Sequence, residues 1–265
     1  MSRRRAHPLW LAYLWLFFGF ILAPIAIVTI VAFQEPGFVA FPIEGFSLKW
    51  FEKAITYKPF TDSLVTSFQI AVLSTLAALL LGTPAALALA RRETRWADAV
   101  VTTLLSPLSV PLIVVGFALL FYLSRARLGT SFIGLLLAHT LVGLPYIVRT
   151  VIAVYRTLGR ELEEAGRMLS ATRWQVMRHI TLPLIRPGLI GGGMLAFLIS
   201  IDNLPVSYFF SSVSTVTLPV VMLSYIESSF DPSIAALSVI QLLIALAGLL
   251  IIERIWGVRM LSQSI

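Results

Sequence analysis

Residues 8–33 contain no charged side chain, and a run that long fixes the solvent before it fixes the fold. Crossing the hydrocarbon core of a bilayer takes about 20 mostly apolar residues, more than a buried core helix usually offers. Five more apolar runs follow: about 62–90, 100–123, 132 up to a polar stretch beginning at 159, 188–210 and 233–256. Lipid gives an unpaired backbone group no partner, so each run predicts a helix that closes its hydrogen bonds within itself. The predicted fold class is an all-α membrane protein of six transmembrane helices, forming one domain over residues 1–265. Within it, 8–33 is an additional N-terminal span ahead of a five-helix core at about 62–256. A cleavable signal would have a shorter apolar core and a small-residue cleavage site, and 8–33 shows neither.

Composition agrees. The chain is 58% hydrophobic and 12% charged, where soluble domains carry roughly a quarter charged residues. A net charge of +7 could suggest nucleic acid, but the cations collect at the ends of apolar runs. Five of the twenty Lys and Arg (Lys49, Lys53, Lys58, Arg125 and Arg127) fall on one side. The remaining fifteen, among them Arg3–Arg5, Arg91, Arg92, Arg95, Arg254 and Arg259, fall on the other. The positive-inside rule then puts both termini in the cytoplasm. Membrane lipid is the predicted surrounding, and no nucleic-acid partner is expected. With no cysteine, disulfides, thiolate metal sites and cysteine nucleophiles are excluded. FSLKWFEKAITY, residues 46–57, predicts a short helix along the outer interface, with Trp50, Phe51 and Tyr57 at the depth of the aromatic belt.

The polar stretch 159–187 is far longer than a connector needs to be. Its first half places Leu162, Ala165, Met168 and Leu169 on one helical stripe, and Glu163 precedes Arg167 by four, the favourable order for an exposed pair. Ser170-Ala171-Thr172 breaks the pattern, and Thr172 with Gln175 forms a capping box for a second short helix reaching Leu182-Pro183. Two short helices joined by a tight turn make a knob that a soluble partner can grip. The stretch resembles the cytoplasmic loop of ABC-importer permeases, where Glu-Ala-Ala, three residues, Gly, nine residues and Ile-x-Leu-Pro recur. Glu164, Ala165, Ile180, Leu182 and Pro183 fall on that pattern; Gly166 replaces its second alanine and Ser170 its glycine. Glycine would reach left-handed geometry more cheaply than Ser170. The resemblance implies a coupling loop of Glu163, Glu164, Ala165, Gly166, Met168, Leu169, Ser170, Ile180, Leu182 and Pro183, seated in a cleft of an ATPase subunit. Glu164 would anchor the turn or meet the ATPase, and Met168 and Leu169 would fill the cleft. ATP and Mg would sit on that partner, since this chain carries no GxxxxGK[ST] phosphate loop.

Ionisable groups inside a membrane are costly, which makes each one a functional candidate. Asp202, beside Asn203 and three residues before Pro205, reads as part of a translocation pathway or its rim, with Tyr208 close behind. The alternative is a structural acid paired to a partner subunit or to backbone. Gly191-Gly192-Gly193 fits either a tight interface with a second subunit or a hinge. His139 reads as a satisfied interhelical hydrogen bond, and Pro107 and Pro111 as the makers of a bent helix.

Much of the chain resembles spermidine/putrescine-type permeases: FSLKWFEKAIT, SPLSVPLIVVG, and a C-terminal third in which Ser200, Asp202, Phe209, Leu218, Pro219, Pro232, Ala236 and Leu237 correspond. Asn203 stands where that family often has a second acid. The resemblance implies the type I ABC importer permease fold, in a bacterial inner membrane. It further implies a non-identical second permease, two ATPase subunits and a solute-binding protein. The cargo would be a polyamine or similar small organic solute, with amino-acid derivatives, opines, phosphonates and ferric iron as alternatives. A secondary transporter or channel working without an ATPase would call for inverted repeats and paired broken helices, which are not evident. An intramembrane enzyme lacks a nucleophile motif, a metal-spaced companion for His139 and a flanking acid pair.

Overall fold

The structure, a computed structural model, describes residues 8–38, 44–213, 215–229 and 231–256. Among these residues there is no strand, only helices and one isolated bridge between Gln34 and Phe46. The candidate cytoplasmic markers Arg3–Arg5 and Arg259 lie outside the described residues. Four helices are long and apolar enough to cross a membrane. They are α1 (Pro8–Val31), α3 (Lys58–Ala90), α6 (Phe132–Thr157) and α13 (Ser233–Trp256), numbered in chain order with α2 (Lys49–Thr56), α4 (Arg95–Leu105) and α5 (Leu112–Arg125).

Two predicted spans are not straight. The run at 100–123 is broken into Arg95–Ser109 and Leu112–Arg125, which meet at 109°. Pro111 supplies no N–H and forces Val110 into extended geometry, φ −100° and ψ 135°, so no helix passes through it. The bend attributed to Pro107 and Pro111 is therefore real and sharper than a kink. The run at 188–210 also divides, into α10 (Arg186–Ile201) and α11 (Leu204–Phe210). Pro205 cannot donate to the Ile201 carbonyl, and the side chain of Asn203 caps the new helix through the Val206 N–H at 3.1 Å.

The chain divides into two compact units. One combines residues up to 61 with 222–256 and so holds α1, α2 and α13, the last helix grouping with the N-terminal span. Trp50, read from the sequence as an aromatic-belt residue, is packed within the chain. Its ring is buried and its indole N–H donates to the Gln34 carbonyl at 2.7 Å. Lys53 ties α2 to the chain before α13, donating to Asp231 and to the Tyr225 hydroxyl, both at 2.6 Å. Burial works against the Asp231 carboxylate, but hydrogen bonds from Lys53, Ser233 and Tyr225 outweigh it and hold its pKa below the ordinary value.

The other unit, residues 62–221, is built on a seam between α6 and α10. Residues 188, 192, 196 and 200 lie four apart on one face of α10, and all four are small. A Cβ at Gly188 would stand 3.0 Å from the Thr150 carbonyl oxygen, and one at Gly192 would meet the Thr150 hydroxyl and come 3.1 Å from the Ile147 Cα. A Cβ at Gly143 of α6 would lie 3.3 Å from the Ala196 Cβ. At the next level Ser200 meets His139 at 2.8 Å. Helices in lipid gain nothing by hiding apolar surface, so close backbone approach and interhelical hydrogen bonds must supply the attraction. Thr150 adds one such bond, donating to the Gly188 carbonyl at 2.9 Å. The triple glycine thus works inside the chain through Gly192, while nothing lies within 4 Å of a Cβ at Gly191.

These two neighbouring glycines give opposite predictions. Gly192→Ala overpacks the seam and should cost about 1–3 kcal/mol, read as a lowered melting temperature of the purified complex. Gly191→Ala should leave it unchanged or raise it slightly, by about 0.5–1 kcal/mol of helix propensity. Equal effects at the two positions would mean that α10 does not face α6 through Gly192.

Candidate functional site

The polar loop folds as α7 (Glu161–Met168), α8 (Arg173–Val176), a π-helical turn (Met177–Thr181) and α9 (Leu182–Leu184). The turn after α7 closes through two backbone bonds, Ser170 N–H to the Arg167 carbonyl at 3.0 Å and Ala171 N–H to the Gly166 carbonyl at 3.1 Å. This ending needs a left-handed residue, and Ser170 supplies it with φ 61°. Serine in the glycine position therefore leaves the turn tight. Thr172 and Gln175 form the capping box read from the sequence. Gly166 is buried, and a Cβ there would lie 2.7 Å from the Ile180 Cδ1, so α7 packs directly on the returning segment.

Sequence spacing suggested that Glu163 pairs along its own helix with Arg167; the structure gives it other partners. Its carboxylate takes a 2.7 Å ion pair from Arg91, just beyond α3. It also accepts the Tyr155 hydroxyl of α6 at 3.0 Å and the Thr181 hydroxyl at 2.7 Å. Arg91 lies 4.0 Å over the Tyr155 ring and donates also to the Leu158 carbonyl. Burial pushes the Glu163 pKa up, but the hydrogen bonds from Thr181 and Tyr155 and the charge of Arg91 outweigh it, leaving the pKa below the ordinary glutamate value. One carboxylate therefore fastens the loop to the ends of two long apolar helices.

The remaining loop candidates sort into two sets. Glu164, Ala165, Met168, Leu169 and Ser170 face outward, with Met168 87% and Leu169 85% exposed. Gly166, Ile180, Leu182 and Pro183 turn inward, and Leu182 packs on the cluster around Ile147, Val151 and Ile185. Trp174 on α8 is a further exposed apolar residue of the loop, at 66%, and was not singled out by spacing.

At the other candidate site Asp202 is exposed at the end of α10, and Tyr208 is exposed on α11. Asn203 is buried as the cap of α11, and Pro205 is half-buried in its first turn. Beneath this junction His139 lies between Ser200 at 2.8 Å and Ser207 at 3.0 Å, and Ser200 reaches Ser74 of α3 at 3.1 Å. The histidine is a satisfied interhelical bond, as its lone position suggested. Ser200 was marked in the sequence only by the family pattern, and Ser74 and Ser207 gave no signal at all.

Residues 78–257 match the family described as binding-protein-dependent transport system inner membrane component. The chain is 29% identical to the spermidine/putrescine transport system permease protein PotC of Haemophilus influenzae, over 89% of this chain and 91% of that protein. It is 31% identical to the putrescine transport system permease protein PotI of Escherichia coli, over 85% and 82%. It is 32% identical to the molybdenum transport system permease protein ModB of Mycobacterium tuberculosis, over 81% and 88%. Among solved structures, a bacterial ABC transporter involved in import of the acidic polysaccharide alginate superposes with a TM-score of 0.65 at 16% identity, covering 92% of each chain. The methionine ABC transporter MetNI in inward-facing form gives 0.60 at 18%, over 73% of this chain and 92% of that one. At such identities the likeness is one of fold alone.

The depressed Glu163 pKa fixes a sign. The clamp is fully present above the ordinary glutamate value and is lost as pH falls through the folded one. Glu163→Gln keeps the shape and removes the charge, at a cost of about 1.5–3 kcal/mol for the charge-assisted bonds. Amide exchange across 163–181 should then rise about tenfold or more near neutral pH. Wild type should show the same loosening only on acidification, with the variant insensitive to it; a variant as protected as wild type would disprove the clamp.

Proposed function

The chain belongs to the family of binding-protein-dependent transport system inner membrane components, and on that premise we propose that loop 161–184 seats in an ATPase subunit and drives polyamine import. The protein is a multi-pass permease subunit of a bacterial ABC importer; the ATP chemistry belongs to a partner ATPase. The finer assembly we infer is two non-identical permeases, two ATPase subunits and an outer solute-binding protein. ATP binding closes the ATPase pair, the loop turns that closure into rotation of the permease helices, and the pathway opens outward to accept cargo. Hydrolysis returns it inward.

What carries the coupling reading is an apolar tip, Met168 and Leu169, held out on a loop whose base Glu163 locks to α3 and α6. A flexible tip would absorb a push; a clamped one passes it on. Asp202 and Tyr208 on the exposed α10–α11 junction support a cationic cargo, since ammonium groups favour carboxylates and aromatic faces. No Lys or Arg occurs between Arg186 and Arg254, so this stretch of the chain offers an anion no fixed cation. The likeness to ModB keeps an oxyanion as the second reading.

Glu164→Lys should leave the protein inserted but separate ATP hydrolysis from uptake in proteoliposomes; normal uptake would remove Glu164 from the docking surface. For cargo, thermal-shift screening of the cognate binding protein should show stabilisation by putrescine or spermidine. Stabilisation by molybdate alone would overturn the polyamine assignment.

A further inference from the structure

A cavity of about 430 Å³ opens at the base of the loop, lined by Ala90, Arg91, Glu93, Arg156, Leu158 and Arg160. No step of the coupling reading uses it. Arg91 is spent on Glu163. Arg156 is exposed and commits only its Nε in a bond to the Ala90 carbonyl at 2.9 Å. Arg160 is exposed and makes one long contact, 3.5 Å, to the Arg91 carbonyl. Two guanidinium groups thus keep donors for a guest, opposed in the lining by Glu93. Arg92 and Arg95 follow immediately in the chain and are exposed, as is Trp96 at 64%.

We propose that this cavity binds a phosphate-bearing anion, presented as the headgroup of an anionic phospholipid of the inner leaflet. Guanidinium forks match phosphate oxygens in pairs, and basic pockets at the cytoplasmic ends of membrane helices suit anionic headgroups. The cavity lies where α3 and α6 end, the level at which a headgroup stands, and an exposed tryptophan belongs at that depth. It also lies at the opposite end of α7 from the docking tip. Arg160 precedes the helix, and Met168 closes it eight residues later, about 12 Å at 1.5 Å per residue. A headgroup there bridges Arg156 of α6 to Arg160 of the loop, stiffening the base through which the loop is held. The site's inward placement rests on the importer reading; lipid retention is measured without transport and stands or falls separately from it.

The test is native mass spectrometry of the complex, purified with its partner permease and ATPase subunits from bilayers mixing phosphatidylglycerol with phosphatidylcholine. Wild type should retain phosphatidylglycerol in excess. R156Q and R160Q should each reduce that excess about fivefold, the worth of one interfacial cation, and R160K, which keeps the charge but loses the fork, should restore it only in part. R160Q loses only the long contact to the Arg91 carbonyl, so it reads the site even if R156Q disturbs folding. Arg125→Gln, outside the cavity, should change nothing. Retention unaffected by R160Q would overturn the proposal. Displacement of the lipid by inorganic phosphate at millimolar concentration would overturn the lipid source in favour of a free anion. Retention by the permease pair that vanishes in the full complex would overturn it too, because the ATPase would then cover the cavity.

Discussion

The seam between α6 and α10 is the constraint on which the larger unit depends. Four levels of small or polar residues, Gly188 on Thr150, Gly192 on Ile147, Ala196 on Gly143 and Ser200 on His139, bring two backbones close enough for dispersion and hydrogen bonds to hold them. In water a bulkier seam would serve, because hiding apolar surface is itself favourable. In lipid it would not, since a leucine gains as much against an acyl chain as against another leucine. The same logic recurs at α5 and α11, where a Cβ at Gly116 would stand 3.0 Å from the Val206 Cα.

That seam gives the Glu163 clamp something rigid to pull on. Tyr155 belongs to the last turn of α6, and Arg91 follows the end of α3, so the carboxylate joins the loop to two helices whose packing is already fixed. Thr181 closes the arrangement from the π turn just before α9 and α10. A displacement of α7 therefore reaches α3, α6 and α10 through polar contacts shorter than about 3 Å, with no flexible linker between. Exposed ion pairs are worth little, but this one is half-buried and shares its carboxylate with two hydroxyls, which makes a network of it.

Local signals in the sequence carried the elements, and the failures were all long-range. The apolar runs, the capping box at Thr172 and the proline break at 107–111 depend on neighbours within a few residues, so their physics is written in order along the chain. Glu163 shows the opposite case. Arg167, four residues on, offers an intrahelical pair, while Arg91 lies seventy-two positions away and no periodicity links them. Trp50 is a related case: its indole bonds the Gln34 carbonyl sixteen positions back, a pairing that no local pattern shows. The triple glycine announced close packing, but which glycine faced a neighbour, and whose, required the register of α10 on α6. Ser207 and Ser74 were silent, and Ser200 was marked only by the family pattern, because a serine in an apolar run looks the same whether or not a histidine waits opposite.

With α6 and α10 locked level by level, motion delivered at the loop has to be taken up elsewhere. The interruptions at 106–111 and at 202–203 are where the α-helical ladder gives way to a 3-10 turn and a few shorter-range bonds, so backbone rotation there disturbs fewer hydrogen bonds than it would inside a helix. The second of these carries Asp202, exposed, directly after the seam's last level at Ser200. An acid on a rigid helix interior would keep its surroundings as the helices moved. Placed on the break, it sits where α11 can turn against α10, which suits the cation-binding role proposed for it.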